Sequence, residues 1–143
     1  MLVAYLSHAV APLGAKSGVT YGQISDGHVI TCEFAFGFPN ADLMQGFKFD
    51  LFGDSPAAIA FRKKEITYFN IEEYERDHPE FPQGIVSEYK FAVMMPVGLT
   101  RIYGFKLLDE EEKISGIKEY FNAIRSILEI YHQLQDQLSD GAN

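Results

Sequence analysis

Two β-prone runs, Val19-Thr20-Tyr21-Gly22-Gln23-Ile24-Ser25 and His28-Val29-Ile30-Thr31-Cys32-Glu33-Phe34-Ala35-Phe36, flank the dipeptide Asp26-Gly27. A two-residue hairpin turn needs positive φ at its centre, which Asp-Gly supplies at little cost, so this segment is expected to be an antiparallel hairpin. A second pair of apolar runs, Tyr89 to Val97 and Thr100 to Leu108, is interrupted at Gly98-Leu99 and reads the same way. Two hairpins on one short chain commit it to an antiparallel sheet with one face, or both, to be covered.

The coverings are legible as helices. Leu2, Val3, Leu6, Ala9 and Val10 recur at helical spacing before Pro12 and Gly14, which predicts a helix over residues 2 to 11. Asp54-Ser55-Pro56 combines a capping side chain with proline at the first helical position, so a helix of about two turns is expected from Pro56 through Lys64. Ile66-Thr67-Tyr68-Phe69 reads as a short strand, and Asn70 to Gly84 as a charged surface loop with room for one helical turn. Ala41 to Phe52 fits no single period, and a short helical turn is one reading of it. After Asp109-Glu110-Glu111-Glu112, carboxylates suited to a helix N-terminus, a periodic helix is expected over about 110 to 138, with a frayed tail over 139 to 143.

The expected architecture is therefore α+β, an antiparallel sheet of about five to six strands with flanking helices and a long C-terminal helix. With 143 residues, 47% of them hydrophobic, the chain fits a single domain spanning 1–143 with one core. Twelve Lys and Arg against 20 Asp and Glu leave a net charge of −8, which repels nucleic-acid phosphates, so no nucleic-acid partner is expected. No segment has membrane-spanning length, and the N-terminal apolar stretch is broken by His8 and ends at Pro12, so no membrane partner is expected either. The lone cysteine, Cys32, forms no intrachain disulfide and fits a reducing compartment, with cytoplasm as the default.

The order of elements and some of their residues resemble the GAF domain, a profilin-like sheet with packed helices. Phe49-Asp50-Leu51-Phe52-Gly53-Asp54-Ser55-Pro56, followed by Ala57 to Lys64 and Ile66 to Phe69, is similar to that family's Ser-Pro helix, its basic turn and its short strand. Phe91-Ala92-Val93-Met94-Met95-Pro96-Val97 resembles its strand ending in proline, and Ile102-Tyr103-Gly104-Phe105-Lys106-Leu107-Leu108 the strand that follows. PAS-like and longin-like sheets of the same shape are the alternatives.

The resemblance implies a sensory or regulatory, non-catalytic domain whose ligand cavity is walled by the segments carrying Phe34, Phe36, Phe38, Phe47, Phe49, Phe52, Phe61, Tyr68, Tyr89 and Phe91. The pocket residues singled out are Phe34, Phe36, Phe49, Phe52, Phe61, Tyr68, Tyr89 and Phe91, which suit a small apolar or aromatic ligand; filling the core is the competing role for the same rings. No cofactor follows from the sequence. A catalytic role for Cys32 lacks a legible base, and none of His8, His28, His78 and His132 follows a cysteine as bilin attachment in the family requires. Glu75, Asp77, His78 and Glu80 share one charged loop and are read as solvated rather than metal-binding. Phe105 with Asp109-Glu110 fits half of the family's cyclic-nucleotide motif, but its Asn-Lys pair is absent.

Homodimerisation is expected through the last helix. Ile114, Ile117, Phe121, Ile124, Leu128, Tyr131 and Leu138 step by threes and fours, broken at Gln135, and Tyr120, Ile127, Ile130 and Leu134 widen the stripe. The dimer contacts singled out are Ile117, Phe121, Ile124, Leu128, Tyr131, Leu134 and Leu138. A ligand-free dimerisation or protein-interaction module, with a protein partner, is the alternative function on the same fold.

Overall fold

In the computed structural model the described residues are 17–25, 27–36, 45–79, 90–107 and 116–141. They form β1 (Ser17–Ser25), β2 (Val29–Phe36), β3 (Lys48–Asp50), α1 (Pro56–Lys63), β4 (Thr67–Asn70), α2 (Ile71–Asp77), β5 (Phe91–Val97), β6 (Arg101–Leu107) and α3 (Ile117–Gly141). The expected helix over 2 to 11 and the start of the last helix near 110 lie outside the described residues.

All strands join one six-stranded sheet in the order β3-β2-β1-β6-β5-β4, with every neighbouring pair antiparallel. Both hairpins form where expected. Gly27 (φ 78°) and Gly98 (φ 65°) occupy the left-handed conformations their turns require. The stretch over 41 to 52 that fitted no single period contributes β3, a three-residue edge strand, and the charged loop after Asn70 begins with α2. Asn70 Oδ1 caps α2 by accepting the Glu73 N–H at 3.0 Å.

Pairing fixes which side chains share a face. Opposite Gly104 and Lys106 on β6 stand Met94 and Ala92 on β5, and Thr20 and Gly18 on β1. Tyr103, Phe105 and Leu107 face the other way with Val93, Met95, Val97 and Val19. A register shift between Tyr21 and Gly22 pairs Tyr21 with Phe34 and Gly22 with Cys32, so Glu33 is the extra residue of a bulge. Cys32 therefore faces α1, whereas Phe34, stacked 6.2 Å from Tyr21, faces α3.

α1 lies on the first face. Ser55 Oγ accepts the Ala58 N–H at 3.2 Å, and Pro56 follows at the first helical position. Such a cap is worth about 1 kcal/mol. Lys64, at φ 57°, closes the helix by donating its N–H to the carbonyls of Ala60 and Phe61. Buried alanines at 57, 58 and 60 let the helix sit close to Ile30, Met94 and Ile102, with Phe61 beside them.

α3 covers the opposite face and divides the stripe expected at a dimer seam. Ile117, Phe121, Ile124 and Leu128 are 5%, 0%, 8% and 1% exposed against the sheet, which removes them from any intersubunit surface. Tyr131, Leu134 and Leu138 remain 43%, 56% and 76% exposed, along with Tyr120, Ile127 and Ile130. The broad stripe was thus two stripes, one for the domain's own core. α3 also runs to Gly141, beyond the expected end near 138.

Polar contacts fix its far half. Arg101 and Asp136 form a bidentate pair at 2.8 and 3.2 Å. The Tyr103 hydroxyl meets His132 Nε2 at 2.6 Å, and His132 Nδ1 lies 3.0 Å from Gln135 Oε1. These contacts suit a neutral imidazole that accepts from Tyr103 and donates to Gln135. Burial first, then the nearby Arg101 charge, holds the His132 pKa below its usual value. No helix among the described residues is long and apolar enough to cross a membrane.

Candidate functional site

A cavity of about 80 Å³ opens between the sheet and the first turn of α1. Its floor is the α1 face of the sheet: Thr20 and Gly22 from β1, Ile30 and Cys32 from β2, Met94 from β5, and Ile102 and Lys106 from β6. Its rim is Phe47 and Phe49 on one side, and Ser55, Pro56 and Ala57 on the other. An engineered cavity of about 150 Å³ accepts benzene, so this one suits a ligand of a few heavy atoms, or part of a larger one.

Beside the floor, Gly104 lets the Thr20 and Met94 side chains meet over its backbone. A Cβ there would lie 2.4 Å from Thr20 Oγ1 and 3.1 Å from the Met94 Sδ. Lys106, two residues on, is 8% exposed, and its Nζ has the Met94 thioether at 3.7 Å as its hydrogen-bond partner. A thioether is a weak acceptor and brings no charge. Burial pulls the Lys106 ammonium down from 10.5 to about 8, and the one charge interaction that opposes this comes from Cys32. Among the described residues no carboxylate forms an ion pair with it.

Cys32 responds to the same burial in the opposite sense. Desolvation pushes its thiol from 9.0 up to about 11, only partly offset by Lys106, and Sγ lies 3.6 Å from the Phe34 carbonyl oxygen. At neutral pH this sulfur is a protonated, weakly polar part of the wall.

The aromatic residues singled out from the sequence are dispersed by strand alternation. Phe49 lines the cavity. Phe61 is on the same side of the sheet but 7% exposed within the α1 core. Tyr68 and Phe91 stack at 5.8 Å on the α3 side, where Phe91 belongs to the core. Phe34 and Phe36, 48% and 43% exposed, pair with Tyr21 and Val19 and share their face; Phe52 is 72% exposed. Tyr89 lies outside the described residues. The segment that carries each ring is legible in the sequence, but pairing sets the face, and the bulge at Glu33 reverses it for Phe34. Phe47, one of the wider aromatic set, also lines the cavity, while Lys106 and Thr20 carry no sequence expectation, although Lys106 leaves a trace as a charge inside an apolar strand.

An antiparallel six-stranded sheet with a short capped helix on one face and a long C-terminal helix on the other defines a profilin-like α+β domain. More narrowly, its fold is that of a GAF domain. The chain superposes on the GAF domain of a two-component sensor histidine kinase from Bacillus halodurans with a TM-score of 0.70, 7% identity, and coverage of 96% of this chain and 95% of that one. For the GAF domain from Acinetobacter phosphoenolpyruvate-protein phosphotransferase the values are 0.65, 8%, 96% and 84%. For the GAF-B domain of DevS from Mycobacterium smegmatis they are 0.67, 8%, 97% and 96%. At these identities the likeness is one of fold. No protein-family description and no curated protein matches the sequence.

Proposed function

We propose that the chain is a sensory or regulatory domain, non-catalytic, that takes a small molecule between its sheet and α1 and transmits occupancy through α3 in a homodimer. The observation that carries this reading is the cavity itself: the first turn of α1 and the sheet floor leave a space between them, with the buried Lys106 among its lining residues. The GAF domain from the Bacillus halodurans sensor kinase lends support by analogy of fold. The protonated Cys32 supplies no nucleophile at neutral pH, consistent with binding rather than turnover. Its unpaired state fits a cytoplasmic setting. Native mass spectrometry of the chain purified from its own cells should show a retained small mass that is lost on mild activation. A chain that carries no small mass, and takes up none from a low-molecular-weight extract, sinks the ligand-binding reading.

The second reading, a ligand-free dimerisation module, is favoured by the outer stripe of α3. Tyr120, Ile127, Leu134 and Leu138 are exposed, with Ile130 and Tyr131 between them, at separations that repeat every three, four or seven residues. A second copy of the helix provides the matching stripe by two-fold symmetry. Ile127→Glu combined with Leu134→Glu should convert a wild-type dimer to a monomer in sedimentation equilibrium without loss of helical circular dichroism, since both side chains are more than half exposed. Leu128→Glu should instead unfold the domain. A wild-type chain that remains monomeric at high micromolar concentration removes the dimer from both readings.

A further inference from the structure

The geometry points to Lys106 as the anchor for the carboxylate of a small organic acid whose short apolar body rests against Phe47, Phe49, Met94 and Ile102. This rests on the ligand-binding reading above and names its ligand class. A lysine more than nine-tenths buried is ordinarily paired with a carboxylate, because an unpaired buried charge is costly. Here Lys106 lines the cavity with a thioether as its ammonium's partner, and among the described residues no carboxylate forms an ion pair with it.

A second, independent feature points to the same ligand charge. α1 directs its N-terminus at the cavity through Ser55, Pro56 and Ala57. The positive end of the helix dipole favours an anion there. Pro56 has no N–H and the cap takes that of Ala58, which leaves the Ala57 N–H as the donor of that turn for a ligand oxygen. Among the described lining residues, one ammonium and one helix terminus, without an arginine, match a monoanion better than a phosphate, which is met by bidentate guanidinium or several donors. Apolar walls and a volume of about 80 Å³ restrict the body to a few carbons.

Among the described lining residues Cys32 is the other titratable side chain; its thiol stays neutral until about pH 11 and adds no negative charge beside the anion. Lys106 itself loses its proton from about pH 8 upward, so acid affinity is expected to fall with pH above that value.

The test is titration of the ¹⁵N-labelled full chain with acetate, propionate and butyrate at constant ionic strength, beside propionamide and butyramide as neutral isosteres. Saturable shifts are expected at the amides of Gly22, Ala57 and Gly104, with an acid bound at least tenfold more tightly than its amide at pH 7. That preference should shrink between pH 8 and 10 and vanish in Lys106→Met, whose removal of a buried charge leaves the fold intact. Equal affinity for acid and amide, or an acid preference that survives in Lys106→Met and Lys106→Gln, overturns the assignment while leaving a ligand cavity in place. Failure of all five probes to shift those amides overturns the assignment and, for molecules of this size, the ligand-binding reading with it.

Discussion

Phe121→Ala is expected to lower the unfolding free energy by about 3–5 kcal/mol, the range found when a fully buried phenylalanine is truncated and its cavity only partly relaxes. The ring is 0% exposed. It lies 5.0 Å from the Phe105 ring and meets Tyr68 edge-on at 6.5 Å, so it joins α3 to β6 and β4 at once. A domain of this size has only about 5–15 kcal/mol to lose. Urea unfolding should therefore show a large drop in midpoint with little change in slope. Leu138→Ala is the contrasting control: with that side chain 76% exposed, its truncation should change stability by less than about 0.5 kcal/mol in a monomeric preparation. A loss below about 1 kcal/mol for Phe121→Ala would mean that α3 is not seated on the sheet through this residue.

The same helix shows how far a sequence pattern reaches. Threes and fours from Ile117 to Leu138 establish a helix and an apolar arc, but an arc wide enough for two contacts does not say which half meets which partner. The sheet decides, because Tyr103, Phe105, Val93 and Met95 fill the space beneath Phe121 and Leu128. The capped helix at Ser55-Pro56 was more fully determined, since its start and the left-handed stop at Lys64 are local chemistry. β3 was not legible: three residues carry no measurable alternation, and Lys48–Asp50 becomes a strand by pairing with Val29, Ile30 and Thr31.

For the site, the decisive property was the face of each strand rather than its composition. Counting by twos from Tyr103 puts Phe105 and Leu107 together and sets Lys106 with Ile102 and Gly104 on the other face, a reading the sequence permits. The aromatic residues lie in segments that resemble cavity walls, yet most of the described rings serve the α3 core or solvent. The bulge that turns Phe34 away from Cys32 follows from the pairing of β1 with β2, which no local pattern at Glu33 announces. Gly104 is similar: a glycine within a strand signals a close approach, and here the approach is made by Thr20 and Met94.

Lys106→Met is expected to stabilise the chain at pH 7 by about 3 kcal/mol, the opposite of what loss of a paired lysine would do. The magnitude follows from burial: the folded ammonium titrates near 8 and an unhindered one near 10.5, and each factor of ten in proton affinity is about 1.4 kcal/mol. The sign follows from proton counts. Between about pH 8 and 10.5 the unfolded chain holds a proton on Lys106 that the folded chain has released, so stability rises with pH across that window. Below pH 8 both states are charged and the burial cost is present in full. Cys32 acts in the reverse direction, since its thiol ionises near 9.0 when unfolded and near 11 when folded, so stability falls between those values. The wild-type chain should therefore gain stability from about pH 7.5 to 9 and level off above, whereas Lys106→Met should lack the gain and decline above pH 9. Chemical denaturation at half-unit pH steps reads both curves. A Lys106→Met chain less stable than wild type at pH 7 would place an acidic partner beside the ammonium and remove the argument for an open anion site. The expected outcome, a more stable variant that no longer prefers acids, would make Lys106 a residue held against folding stability by what it binds.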